Sequence, residues 1–214
     1  GHRARLAAER ANPLSFDRLT LATFANTALT MVGLFAVVPN ISTFLQHNIG
    51  YPRERLDVLY FAGGLASVLA TRLIGTLVDR LGATRVLVAG TAVFVSSIYF
   101  GFVRPVSADH VIWVFPLLML SASLRGVPMN TLATRVPKRE ERARFMSAQT
   151  AVQHFSSAAG ALSVPLVLRD GPGGRLEGMA TVSLAAMGLA LLVPLLASFI
   201  ERGIRARERE GAAP

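Results

Sequence analysis

Of the chain's 214 residues, 52% are apolar and only 16% charged, against roughly 25% charged in an ordinary soluble domain. The formal charge of +9 does not make this a nucleic-acid binder, because its Lys and Arg residues are scattered over short links rather than gathered on one exposed face. With no cysteine and four histidines, a disulfide framework, thiol chemistry and a Cys-based metal site are excluded. No cofactor and no metal is expected.

The amino-terminal arm, residues 1–18, is polar and basic, shows no signal-peptide pattern, and starts at Gly1 as if numbered from an internal point. Six apolar stretches follow, at about 21–45, 57–78, 85–103, 111–134, 145–168 and 178–200. Each approaches the roughly 20 helical residues that cross a hydrocarbon core about 30 Å thick. Alternation of period two is absent, which excludes a transmembrane barrel, and most stretches lack the polar face of a soluble helix. The expected fold is an all-α integral membrane bundle: six transmembrane helices over 19–200, with a cytoplasmic arm before them and a cytoplasmic tail, 201–214, after them.

In the first span, Asn26, Thr30, Gly33, Val37, Asn40 and Thr43 recur at three- and four-residue steps and share one face. Amides on such a face are interhelical glue or the lining of an aqueous cavity. Asn40 follows Pro39, where the helix is expected to break. In the second span, Gly63, Ser67, Thr71 and Gly75 lie four apart and predict a close-packing seam. Arg72, seven residues before Asp79 and roughly 10 Å from the membrane end, either snorkels to the surface or meets a partner on another helix. The third and sixth spans hold no Asn, Gln, His or charge within their hydrophobic stretches and read as peripheral, lipid-facing helices.

The fourth span is the most informative. Arg125 lies ten residues before Arg135, roughly 15 Å deep, where a charge costs at least about 2.5 kcal/mol and faces a bundle interior or an aqueous path. Carbonyls freed by Pro116 and Pro128 are one way to satisfy it. The other is an anionic substrate group or a carboxylate on a helix outside this chain, since no Asp or Glu lies deep in these spans. Asn130 joins Arg125, Asn26, Thr30 and Asn40 as a cavity candidate. In the fifth span, Gln149, Gln153 and His154 are candidates for interface or coupling, as is Arg72. His154, near mid-depth, either shuttles protons or hydrogen-bonds a neighbour.

The links orient the bundle. Fifteen Lys and Arg residues fall in the arm, the links 79–85 and 135–144 and the tail, against five in the alternate links. The positive-inside rule therefore puts both termini in the cytoplasm of a cell-membrane protein. Segment 137–144 reads as a short amphipathic helical link or a solvated basic patch at the membrane surface.

The link between the second and third spans, Gly75-Thr76-Leu77-Val78-Asp79-Arg80-Leu81-Gly82 with Arg85 beyond it, resembles the signature loop of the major facilitator superfamily. The run from Tyr60 to Gly75 resembles the sugar-efflux and drug-efflux permease branch. The resemblance extends over about 19–200 and implies a fold of two six-helix bundles. Ala83 and Thr84 stand where the signature has basic residues, the decayed form typical of a second copy, so the spans would be helices 7 to 12 of twelve. The implied partners are an amino-terminal six-helix half, the bilayer, a small-molecule substrate and, as a candidate co-substrate, protons. Gly75, Asp79, Arg80, Gly82 and Arg85 would form the gating loop. In that role Asp79 would meet a helix amino terminus across the interface; otherwise it is a local cap or a solvated charge. The implied activity is alternating-access transport of a small solute, proton-coupled efflux in this branch. The alternative is a free-standing six-helix scaffold or dimeric channel. An enzyme is not expected, because no His-Glu-x-x-His motif and no paired Asp occurs in the spans.

Overall fold

The computed structural model describes residues 15–211; the expected arm therefore lies, up to residue 14, outside the described residues. Six long helices dominate: α1 Arg18–Val37, α2 Leu56–Leu81, α3 Ala83–Ile98, α4 Val111–Arg135, α5 Arg142–Ser163 and α6 Met179–Gly211. α1 begins at Asp17, whose carboxylate accepts the Thr20 amide at 2.8 Å and so satisfies one of the orphan donors of the first turn.

The α-helix breaks at Pro39, as expected, but the rod does not end there. The backbone tightens to a 3-10 turn at Val38–Asn40, resumes as α over Ile41–Phe44 and widens to a π turn at Leu45–Ile49. Proline sits in the first turn of the 3-10 segment, where its missing N–H is least needed, so the rod continues. At the other end of the chain, α6 runs past the expected boundary at 200 to Gly211. A hairpin of β1 Arg169–Asp170 and β2 Leu176–Glu177 connects α5 to α6. The Asn48 side chain holds it down, donating to the Leu176 carbonyl and accepting its amide, both at 2.9 Å.

Among the described residues, five helical rods are long and apolar enough to cross a membrane: Arg18–Ile49, Arg53–Leu81, Ala83–Val103, Ala108–Arg135 and Met179–Glu210. The helix α5 falls short of that hydropathy because Gln149, Thr150, Gln153, His154, Ser156 and Ser157 dilute its apolar residues.

In packing order the helices run α5, α1, α6, α3, α4, α2, each against the next. Close crossings explain two of these pairs. A Cβ on Gly90 of α3 would lie 2.7 to 2.9 Å from Leu124 of α4, and one on Gly160 of α5 would lie 2.6 Å from the Val32 carbonyl of α1. Only glycine lets these backbones meet. The expected seam on α2 is not one face. Gly63 packs on Met119 and Phe115 of α4, whereas a Cβ on Gly75 would meet nothing within 4 Å. At 3.6 residues per turn a step of about twelve positions rotates roughly 120°, so a four-residue repeat winds off the buried side. α3 and α6 are interior to the packing order, yet each shows an apolar outer strip that includes Val88, Phe100, Leu191 and Leu195.

The core has two apolar clusters. One gathers Val37, Ile41, Phe44, Phe94, Ile98 and Leu118 toward the hairpin end. The other gathers Leu19, Val78, Leu87, Leu132, Phe145 and Ile200 toward the opposite end, where α1 starts and α2 finishes. Where they meet, the buried side chains turn polar: Asn26, Thr27 and Thr30 on α1, Thr91 on α3, Ser121 and Arg125 on α4, and Gln149 on α5. This waist positions the candidate site.

Candidate functional site

The α4 helix carries Arg125 into the waist. Its residue is 2% exposed, and its guanidinium carbon stands 4.4 Å from the centroid of the Phe94 ring on α3. Stacking on an aromatic face stabilises a desolvated guanidinium by about 2 kcal/mol, which offsets part of the desolvation. The rest is uncompensated. Nε is buried without a hydrogen-bond partner, and no carboxylate pairs with Arg125 among the described residues.

A cavity of about 90 Å³ adjoins it, formed by α1, α4 and α5 and lined in part by Thr27, Thr30, Arg125, Asn130, Gln149 and Gln153. Thr30 donates to the Asn26 carbonyl at 2.9 Å and lies 3.2 Å from the Met129 sulfur. Thr27 Oγ1 and Gln149 Oε1, in contrast, are buried with no partner. An unpaired buried polar group costs about 1–3 kcal/mol, so the cavity wall concentrates unmet hydrogen-bonding capacity around one cation.

Of the residues expected from the sequence, Thr30, Arg125, Asn130, Gln149 and Gln153 thus come together at one cavity. Asn26 is buried beside it without lining it, its Oδ1 unpartnered. Asn40 is half-buried in the 3-10 turn, away from this group. Arg72 on α2 and His154 on α5 are exposed, on the two helices at the ends of the packing order. Phe94 and Thr27 were not anticipated. Thr27 was legible as the residue three before Thr30, but the Phe94 contact depends on the Gly90–Leu124 crossing.

The signature segment forms a second polar centre. Asp79 and Arg80 lie in the last turn of α2, because the helix extends to Leu81 and the link shrinks to Gly82. At φ 92°, ψ 150°, Gly82 adopts a conformation reserved for glycine. The turn presents Thr84 to Glu201 of α6, which accepts from the Thr84 amide at 3.2 Å and from its hydroxyl. Glu201 also pairs with Arg205 at 2.7 Å. A carboxylate from the last helix therefore caps α3, whose first turn has no acid of its own. Asp79 is exposed and makes no ion pair among the described residues.

Further along, α6 binds two more helices: Arg207 to Asp17 at the start of α1, and Glu208 to Arg135 at the end of α4, the latter at 2.7 Å. Partial burial pushes the Asp17 carboxyl up, but hydrogen bonds from Thr20 and Arg207 outweigh it and hold the group below the ordinary aspartate range.

No curated protein and no solved structure matches the chain. Its sequence does match the profile of the Major Facilitator Superfamily over residues 23–213, nearly its whole length. That match agrees with the long apolar rods and with a polar waist buried between them. The chain is a multi-pass membrane protein that belongs to the Major Facilitator Superfamily, a family of non-catalytic transporters that carry solutes across membranes.

Proposed function

We propose that the chain is the carboxy-terminal six-helix half of a twelve-helix transporter that exports a small anionic solute by alternating access, driven by proton exchange, as in the sugar-efflux and drug-efflux permeases it resembles. Both of its termini face the cytoplasm. α5, fifth in chain order, brings the spans to six, and it is polar because it faces the other half rather than lipid. Arg125 receives the anionic group of the solute, assisted by Thr27, Thr30, Asn130, Gln149 and Gln153. His154 and Arg72 face the amino-terminal half, and Asp79 closes the cytoplasmic gate against it.

The observation that carries this reading is the cavity beside Arg125: among the described residues, a buried guanidinium with no carboxylate lies next to Thr27 and Gln149 oxygens with no partners. An anion at that spot would satisfy the cation, and the neighbouring hydroxyl and amide would orient it. The open space at Gly75 and the exposure of Arg72 and His154 support an opposing wall.

Transport by the protein carrying both halves, reconstituted in proteoliposomes, tests it. Carboxylate-bearing and neutral solutes are compared with and without an imposed pH gradient. Export of anionic solutes that collapses with the gradient is expected, with partial activity for Arg125→Lys, which keeps charge but loses the bidentate fork, and almost none for Arg125→Ala. Near-normal transport per inserted molecule by Arg125→Met ends the assignment. The chain by itself should carry nothing vectorially, since one bundle has no opposing wall.

A further inference from the structure

A concave basin of about 760 Å³ lies where the α2–α3 turn meets the last turns of α6; its lining includes Asp79, Arg80, Arg85, Glu201, Arg202 and Arg205. Four guanidiniums face two carboxylates there, and the balance is less even than that. Glu201 is already engaged by Thr84 and Arg205. Arg80, Arg85 and Arg202 form no ion pair among the described residues, so Asp79 alone remains to offset three free cations.

The basin also has an apolar margin. On α6, Leu195, Ser198 and Arg202 follow the helical steps i, i+3 and i+7; Ser198 and Arg202 line the basin, while Leu195 is 65% exposed. On α3, Arg85 lines it and Val88, one turn deeper, is 50% exposed. Phe199 adds a half-exposed ring on the same helix as Arg202. Cationic forks at the rim thus continue into exposed aliphatic surface along α3 and α6, two helices that pack on each other.

We propose that this basin holds the headgroup of an anionic phospholipid, with its acyl chains lying along Val88, Leu195 and Phe199. Planar guanidiniums pair bidentately with a phosphate diester. Basic pockets beside helix ends at the membrane face suit anionic headgroups, which neutral lipids cannot match in charge. A soluble phosphate would engage the arginines but leave the apolar strip without a partner, so the strip favours the lipid. The assignment rests on these helices spanning a membrane; it needs no assumption about the solute or about Arg125.

The test is native mass spectrometry of the purified full chain in detergent, titrated separately with phosphatidylglycerol, phosphatidylcholine and inorganic phosphate. Phosphatidylglycerol adducts should form preferentially. Substituting Arg80, Arg85 and Arg202 together by Gln should weaken them roughly a hundredfold, about fivefold per guanidinium. The pair Arg139→Gln and Arg142→Gln, in the α4–α5 link, serves as control and should leave them unchanged. Equal retention of phosphatidylglycerol and phosphatidylcholine overturns the proposal, as does unchanged binding by the triple variant. Phosphate binding as tight as that of the lipid overturns the choice of ligand. If the triple variant does not fold, the unaltered chain still decides: its preference for phosphatidylglycerol must vanish at high salt, and a salt-insensitive preference refutes the role of the arginines.

Discussion

Arg125 of α4 rests on the Phe94 ring of α3, 4.4 Å from its centroid, and has no other charged or aromatic partner among the described residues. The two side chains should therefore be energetically coupled. Phe94→Leu and Arg125→Met, alone and together, form a double-mutant cycle read by unfolding in mixed micelles. A coupling of about 0.5–2 kcal/mol is expected. Additive losses would show that the stacking contributes nothing. Phe94→Leu should destabilise more in the presence of Arg125 than in its absence, because it leaves the buried charge with less.

Gly90 sets the α3–α4 crossing that makes this contact possible. Gly90→Ala forces a methyl group against Leu124, including its backbone carbonyl carbon at 2.8 Å, and the helices must separate. A loss of about 1–3 kcal/mol is expected, with a blue or red shift in the fluorescence of Trp113 on α4 as the helix moves. By contrast Gly75→Ala, which meets nothing within 4 Å, should leave the stability of this chain unchanged. Equal effects of the two substitutions would contradict the packing described.

Asp79 and Glu201 are both acids at the signature segment, yet they should fail differently. Glu201→Gln weakens the cap on α3 and should lower stability by about 1 kcal/mol. Asp79→Asn breaks no ion pair among the described residues and should leave the chain's unfolding unchanged, while transport by the two-half protein falls. A destabilised Asp79→Asn chain, or unimpaired transport, would remove Asp79 from the gate.

The Asp17 carboxyl has a pKa lowered in the folded state, so its charge favours folding at pH values above the unfolded aspartate pKa. That contribution declines as pH falls through the unfolded value, about 3.9, and is gone below the folded one. Asp17→Asn keeps the acceptor for the Thr20 amide but loses the charge facing Arg207. The variant should be less stable than the parent at pH 7, and the gap should begin to close as pH falls through about 4 and vanish below the lowered folded pKa. A gap that persists under acid would assign the effect to something other than this carboxylate.

The absence of cysteine makes labelling unambiguous. Single cysteines replacing Glu54, Ser107 or Arg175 should react with an impermeant maleimide added to intact cells. Those replacing Arg80 or Lys138 should react only after permeabilisation. The reverse pattern would invert the proposed topology.

The helices were legible because length and hydropathy are properties of single segments. Arg125 was legible too, since depth along a helix follows from counting residues. What the sequence hid was relational. Nothing in the α4 residues says that Phe94 waits beneath Arg125, or that Glu201, 117 residues after Thr84, caps the helix following Gly82. The small-residue repeat on α2 meets a neighbour of this chain at Gly63 but leaves Gly75 in open space, because spacing by four drifts around a helix of 3.6 residues per turn. Pro39 did break the α-helix, but the sequence could not show that a short 3-10 segment would carry the rod on beyond it.

Arg207 closes on Asp17 across 190 residues of sequence, and this fixes an order of events. Chains emerge from synthesis amino terminus first, at about 5–20 residues per second, so α1 is made long before the helix that pins its start. For most of that interval Asp17 lacks its arginine, and Leu19 lacks the Gly203 surface it packs against. A ribosome paused or a chain cut after α5 but before residue 201 leaves α1 packed on α5 but without the ion pair at its start, and α3 packed on α4 but without its cap.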